Sequence, residues 1–123
     1  MASKMTSKQA FKAMFCFLED YYNKTLSDDL GSLLGDMQLF EDGITWDNAA
    51  WSDWMIALGN NDTVSLLDAF KGMFNFLNAY YERTSFASSD IKSLLDVIAL
   101  DEYVKPLNSA AWNIWINCVE KNE

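Results

Sequence analysis

The chain contains no histidine. That removes the commonest general base, the Ser–His and Cys–His nucleophile pairs, and every imidazole metal site. Glycine is scarce and proline occurs once, at Pro106. Neither a GxGxxG nor a GxxxxGK[ST] phosphate loop is present. The two cysteines, Cys16 and Cys118, lie near opposite ends with no CxxC. They make neither a structural zinc site nor a disulfide scaffold, and the expectation is buried free thiols in a reducing cytosol, with a bridge as the alternative. No run of about 20 apolar residues exists to span a bilayer, and the start, MASKMTSKQAFKAMF, lacks an apolar stretch of signal-peptide length. Positive charge is scarce: nine Lys and Arg face 18 Asp and Glu, for a net charge of −9. Nucleic acid and anionic membrane surfaces are repelled by that balance, and a basic partner is attracted. The same charge also keeps an aromatic-rich chain in solution.

What the sequence does have is a repeat. FKAMFCFLEDYYNKT at Phe11–Thr25 returns as FKGMFNFLNAYYERT at Phe70–Thr84, an offset of 59. A two-residue insertion near Phe86 moves the offset to 61. Asp29, Ser32, Leu33, Leu34 and Leu39 then match Asp90, Ser93, Leu94, Leu95 and Leu100, and Ala49, Ala50, Trp51 and Trp54 match Ala110, Ala111, Trp112 and Trp115. Collinear identities of this kind indicate an internal duplication, with copies at about 7–59 and 62–121.

Each copy reads as three helices. Apolar residues at 11, 14, 15, 18, 21 and 22 have helical spacing, which predicts a helix over about 7–24 with one buried face. Ser27 is a candidate N-cap, and Asp28 and Asp29 follow in the first turn, where the helix dipole favours them. Leu30, Leu33, Leu34 and Met37 form a second stripe, and Glu41-Asp42-Gly43 ends it in a loop. Asp47 is expected to cap a third helix whose inner face is Trp51, Trp54, Met55 and Leu58. The second copy's helices are expected to start near Asp62, Ser88 and Ser109. The junction Gly59-Asn60-Asn61 is short, so the copies pack together rather than hang on a linker. The expected fold class is all-α: a tandem duplication of a three-helix unit in one compact domain, without a strand. Gly31 and Gly35, four apart, suggest either close helix packing or a flat patch for a partner's backbone.

No catalytic constellation emerges. The carboxylate pairs Glu19-Asp20, Asp28-Asp29 and Glu41-Asp42 are adjacent in sequence at helix ends or in a loop, where solvation explains them. A magnesium site from Asp28, Asp29 and Asp36 is conceivable but weakly motivated, and DNTVSLLD lacks the calcium-hand pattern. Neither enzymatic activity nor a cofactor nor a metal is expected. Tyrosines and tryptophans that recur in both copies read as core. Trp46 has no aromatic twin, since Leu107 stands in its place, and is either an interface anchor or tucked over the core. The copies differ in charge: Glu19, Asp20, Asp28, Asp36, Asp47 and Asp53 face Asn78, Ala79, Ser89, Val97, Asn108 and Ile114. Between Ala13 and Phe70, Lys24 is the only basic residue. The first copy therefore carries a field suited to a basic partner.

FLEDYYNKT followed by SDDLGSLLGDM, an acidic loop and DNAAWSDW resembles the small acidic immunity proteins of bacterial contact-dependent growth inhibition systems. The resemblance covers about residues 10–58 and, more weakly, the second copy. It implies a cytoplasmic protein, a monomer in a 1:1 complex, that binds the C-terminal toxin domain of a cognate effector and occludes its substrate cleft. Such toxins are commonly basic nucleases, often RNases acting on tRNA. The family's contact residues form no fixed motif, so none is carried over. The residues expected at the interface, from charge divergence and the unmatched tryptophan, are Asp28, Asp36, Glu41, Asp42, Trp46 and Asp53. A charge mimic of DNA that binds another basic protein is the alternative.

Overall fold

The computed structural model describes residues 4–37, 48–84, 89–101 and 105–122. Most of them are helical. The helices are α1 (Ser7–Thr25), α2 (Asp28–Asp36), α3 (Asn48–Ala57), α4 (Leu66–Arg83), α5 (Ser89–Val97) and α6 (Ser109–Lys121). Two three-residue strands, β1 (Lys4–Thr6) and β2 (Thr63–Ser65), pair antiparallel with Met5 opposite Val64. The ribbon corrects the strand-free expectation. It delays α4 to Leu66, whereas the sequence suggested a start near Asp62. Three residues are too few to show alternation, but Met5 and Val64 are each buried between more exposed neighbours.

The ribbon leads straight into two helix caps. Thr6 closes a capping box: its backbone N–H donates to Gln9 Oε1 at 2.9 Å and its hydroxyl accepts from the Gln9 N–H at 3.1 Å. At the start of α4, Ser65 accepts from the Asp68 N–H at 3.1 Å. Ser27 caps α2, as its position suggested, accepting from the Leu30 N–H at 3.3 Å.

The helices bury one shared core. α1 packs on α2 and α6, α4 packs on α5 and α3, and α2 meets α5. Two fully buried tryptophans organise it. Trp54 lies 6.0 Å from Phe11 and 6.1 Å from Phe76, while Trp115 lies 5.9 Å from Phe70 and 6.5 Å from Phe17, mostly edge-on. Neither indole N–H is orphaned: Trp54 Nε1 donates to the Ser7 carbonyl at 3.0 Å and Trp115 Nε1 to the Leu66 carbonyl at 3.1 Å. The end of α3 presses so closely on α4 that a Cβ at Gly72 would stand 3.5 Å from the Trp54 ring and 2.6 Å from Cδ2 of Leu58, the residue after the helix.

The cysteines are not free. Cys16 on α1 and Cys118 on α6 form a disulfide across a Cα–Cα distance of 5.7 Å. The expectation of separate buried thiols rested on there being only two cysteines, at non-equivalent positions of the repeat, and it failed because the α1–α6 packing brings together residues 102 apart in sequence. The equivalent pair in the repeat alignment, Asn75 and Ala57, is also in contact: Asn75 Nδ2 donates to the Ala57 carbonyl at 3.3 Å.

The two glycines of α2 separate. A Cβ at Gly31 would meet the Tyr22 ring at 3.0 Å, the close packing expected, whereas nothing lies within 4 Å of one at Gly35. Gly35→Ala is therefore expected to raise stability by about 0.5–1 kcal/mol through helix propensity alone, measured by urea denaturation. An unchanged or lower stability would mean that Gly35 is needed in the folded chain.

Candidate functional site

An acidic hollow lies where α1 hands over to α2. α1 cannot simply continue: at its C-cap, Leu26 turns into the left-handed region (φ 55°), its N–H still donating to the Tyr22 carbonyl at 2.6 Å. Ser27 starts α2 one residue later. Its buried hydroxyl does two jobs, accepting from Leu30 and donating to Asp90 Oδ2 on α5 at 2.8 Å. That bond ties the first turns of α2 and α5 together. A cleft of about 600 Å³ results, with Tyr21 and Leu26 on one side and Asp28, Asp29 and Asp90 around the rest. All three carboxylate residues are exposed, and both helix starts favour negative charge there. Leu26 stands at the rim 69% exposed, among the most exposed large apolar side chains described.

Of the six residues expected at an interface, Asp28 is in this cleft. Asp53 lies on α3, half-buried, and pairs with Arg83 of α4, whose guanidinium also sits 5.9 Å from the Tyr80 ring centroid. Its charge is thus answered within the molecule, and it does not line the cleft. Asp36 ends α2, but its side chain is outside the described set. Glu41, Asp42 and Trp46, like the Asp47 cap, lie outside the described residues altogether. The structure thus unites Asp28 with Asp29 and Asp90 rather than with Asp53.

Two residues of the cleft escaped the sequence. Asp90 matches Asp29, so a search for differences between the copies passed over it. Leu26 breaks a polar stretch, NKTLSDD, and that one apolar residue where a connection is otherwise polar was its signal.

Other charges are more local. Lys24 pairs with Asp20 at 2.9 Å and Lys92 with Asp96 at 2.7 Å, both one helical turn apart. The hydrogen bond and charge of Asp96 raise the Lys92 pKa. Exposed pairs like these are screened by solvent and contribute little to stability. A second hollow of about 390 Å³ beside the ribbon has Lys4, Lys71 and Asp68 at its edge, so it does not select for a basic partner. Among the described residues no three acidic or cysteine side chains converge as metal ligands would, and no helix is long and apolar enough to cross a membrane.

No protein-family model matches the chain, and no curated protein or solved structure is significantly similar to it.

Proposed function

We propose that this chain is a non-enzymatic immunity protein that binds a basic toxin domain, a nuclease that grips phosphate, and covers its substrate cleft. The observation that carries this reading is the α1–α2–α5 cleft, where Asp28, Asp29 and Asp90 surround a hollow rimmed by an exposed leucine. Carboxylates at such a place receive Lys and Arg of the partner and steer its approach. Leu26 supplies an apolar anchor of the kind that dominates interface energetics when buried by a partner. It also explains a cost: a leucine in the left-handed region is strained, and strain of this kind gathers at binding surfaces.

The frame behind the cleft is, in the same proposal, a duplicated three-helix unit. Equivalent tryptophans donating to equivalent carbonyls, and the paired contacts Cys16–Cys118 and Asn75–Ala57, support it. The partner is the C-terminal domain of an effector encoded beside this chain, bound 1:1 in the cytoplasm. No nucleic acid, membrane or cofactor takes part.

Calorimetry with that toxin domain tests the reading. The double variant Asp28→Lys/Asp29→Lys is expected to weaken binding by about 100-fold, with association of the unaltered chain slowing as salt is added. Undiminished affinity in a folded double variant would remove the cleft from the interface. Recovery from cells of an unrelated DNA-binding protein, with no affinity for the toxin domain, would favour the charge-mimic alternative. Leu26→Gly separates strain from use: it is expected to gain about 0.5–1 kcal/mol of stability while losing about tenfold in affinity. A variant equally good at both would mean that Leu26 makes no contact.

A further inference from the structure

We propose that the Cys16–Cys118 disulfide is a modification site, opened by a small anionic thiol that attacks Cys16 through a basic hollow between α1 and α6. The two sulfurs differ in access. Cys118 is buried at 3% exposure, whereas Cys16 is half-buried and lines a hollow of about 370 Å³. Lys12, Phe15, Cys16 and Glu19 share one face of α1 along its wall, and Lys121 and Asn122 close it from the end of α6. The Asn122 side chain donates to the Cys118 carbonyl at 2.8 Å and holds that end in place.

Charge singles out the visitor. In a chain of net charge −9, this hollow has two lysines against one glutamate. A carboxylate-bearing thiol such as glutathione is attracted there even though the molecule as a whole repels it. Phe15 offers apolar surface to its backbone.

The chemistry is thiol–disulfide exchange. The incoming thiolate bonds to Cys16 Sγ as the Cys16–Cys118 bond breaks. The electron pair leaves on Cys118 Sγ, which takes a proton from water. A second thiolate attacks the non-protein sulfur of the mixed disulfide, giving the oxidised thiol dimer and the Cys16 thiolate, which is protonated in turn. Two thiols are oxidised and one protein disulfide is reduced. The bond that opens is the covalent tie between the first and last helices, so thiol concentration would set how firmly α6 is held on α1.

The test uses the full-length native chain and three thiols at equal thiolate concentration: glutathione (anionic), 2-mercaptoethanol (neutral) and cysteamine (cationic). Acid-quenched, alkylated samples are read by mass spectrometry. At low ionic strength glutathione is expected to react about threefold faster than cysteamine, the gap closing in high salt, with the first adduct on Cys16. Lys12→Glu/Lys121→Glu is expected to reverse the order, and the milder Lys12→Gln/Lys121→Gln to erase it, in chains of unchanged helicity. The proposal is overturned if cysteamine is fastest, if the adduct maps to Cys118, if either lysine variant leaves the order as it was, or if the native chain carries two free thiols.

Discussion

Replacing Cys16 and Cys118 with alanine is expected to lower the unfolding free energy by about 3–5 kcal/mol, because the bond closes a span large enough for its chain-entropy contribution to approach the upper end of the usual range. The span is 102 residues of a 123-residue chain, so the cross-link restrains nearly the whole unfolded ensemble. Such a loss is a large part of the roughly 5–15 kcal/mol that holds a domain of this size together, and it corresponds to a fall of about 10–20 °C in Tm. Part of the loss is local. Cys118 is buried beside Val119 and Trp115 on α6, and truncation there removes packing as well as the bond. Urea denaturation of the unaltered chain with and without reductant separates the two contributions, since reduction breaks the bond and leaves the side chains. A difference below about 1 kcal/mol on reduction would mean that the unfolded chain gains little freedom when the tie is cut.

Trp54→Ala and Trp115→Ala are each expected to cost about 3–5 kcal/mol. Each indole is fully buried, touches phenylalanines on both long helices, and satisfies a carbonyl that would otherwise lose its partner. Trp→Phe at either site keeps most of the apolar contact and removes the N–H, so about 1–3 kcal/mol should be lost there. The informative quantity is the comparison. Residues aligned in the repeat and held by like contacts should respond alike, within about 1 kcal/mol, closer than the roughly 2 kcal/mol by which context alone spreads a single type of truncation. Thermal unfolding followed by circular dichroism checks it. If Trp115→Ala proved nearly harmless while Trp54→Ala unfolded the chain, the two halves would not be copies in energetic terms.

What the sequence made legible was local. Apolar residues three and four apart placed α1 within a residue of its observed ends, and Ser27 followed by Asp28-Asp29 marked the start of α2. These depend on neighbours along the chain, which is where periodicity and capping act. The ribbon was missed because three-residue strands exist only through their partner, and that partner lies across three helices in sequence. The disulfide was missed for a related reason. Cys16 and Cys118 have no cysteine counterparts in the repeat, yet their aligned positions, Asn75 and Ala57, are also in contact on the α3–α4 side, through a side-chain to backbone hydrogen bond.

The site followed the same division. Asp28 was reached by comparing the copies, and it lies in the cleft. Asp53 was reached by the same comparison, but the side chain that neutralises it comes from α4, thirty residues on, and no local pattern announces it. Asp90 and Leu26 were passed over because one is shared by both copies and the other is apolar. An acidic surface assembled from both halves cannot be found by asking only what one half has and the other lacks.

Hydrogen–deuterium exchange of the full-length chain, alone and saturated with the toxin domain, tests the central claim most directly. The account expects slowed exchange at residues 21–30 and 89–93, around Leu26, Asp28, Asp29 and Asp90, with little change along α6. Protection concentrated on residues 109–121, with 21–30 exchanging as in the free chain, would contradict it.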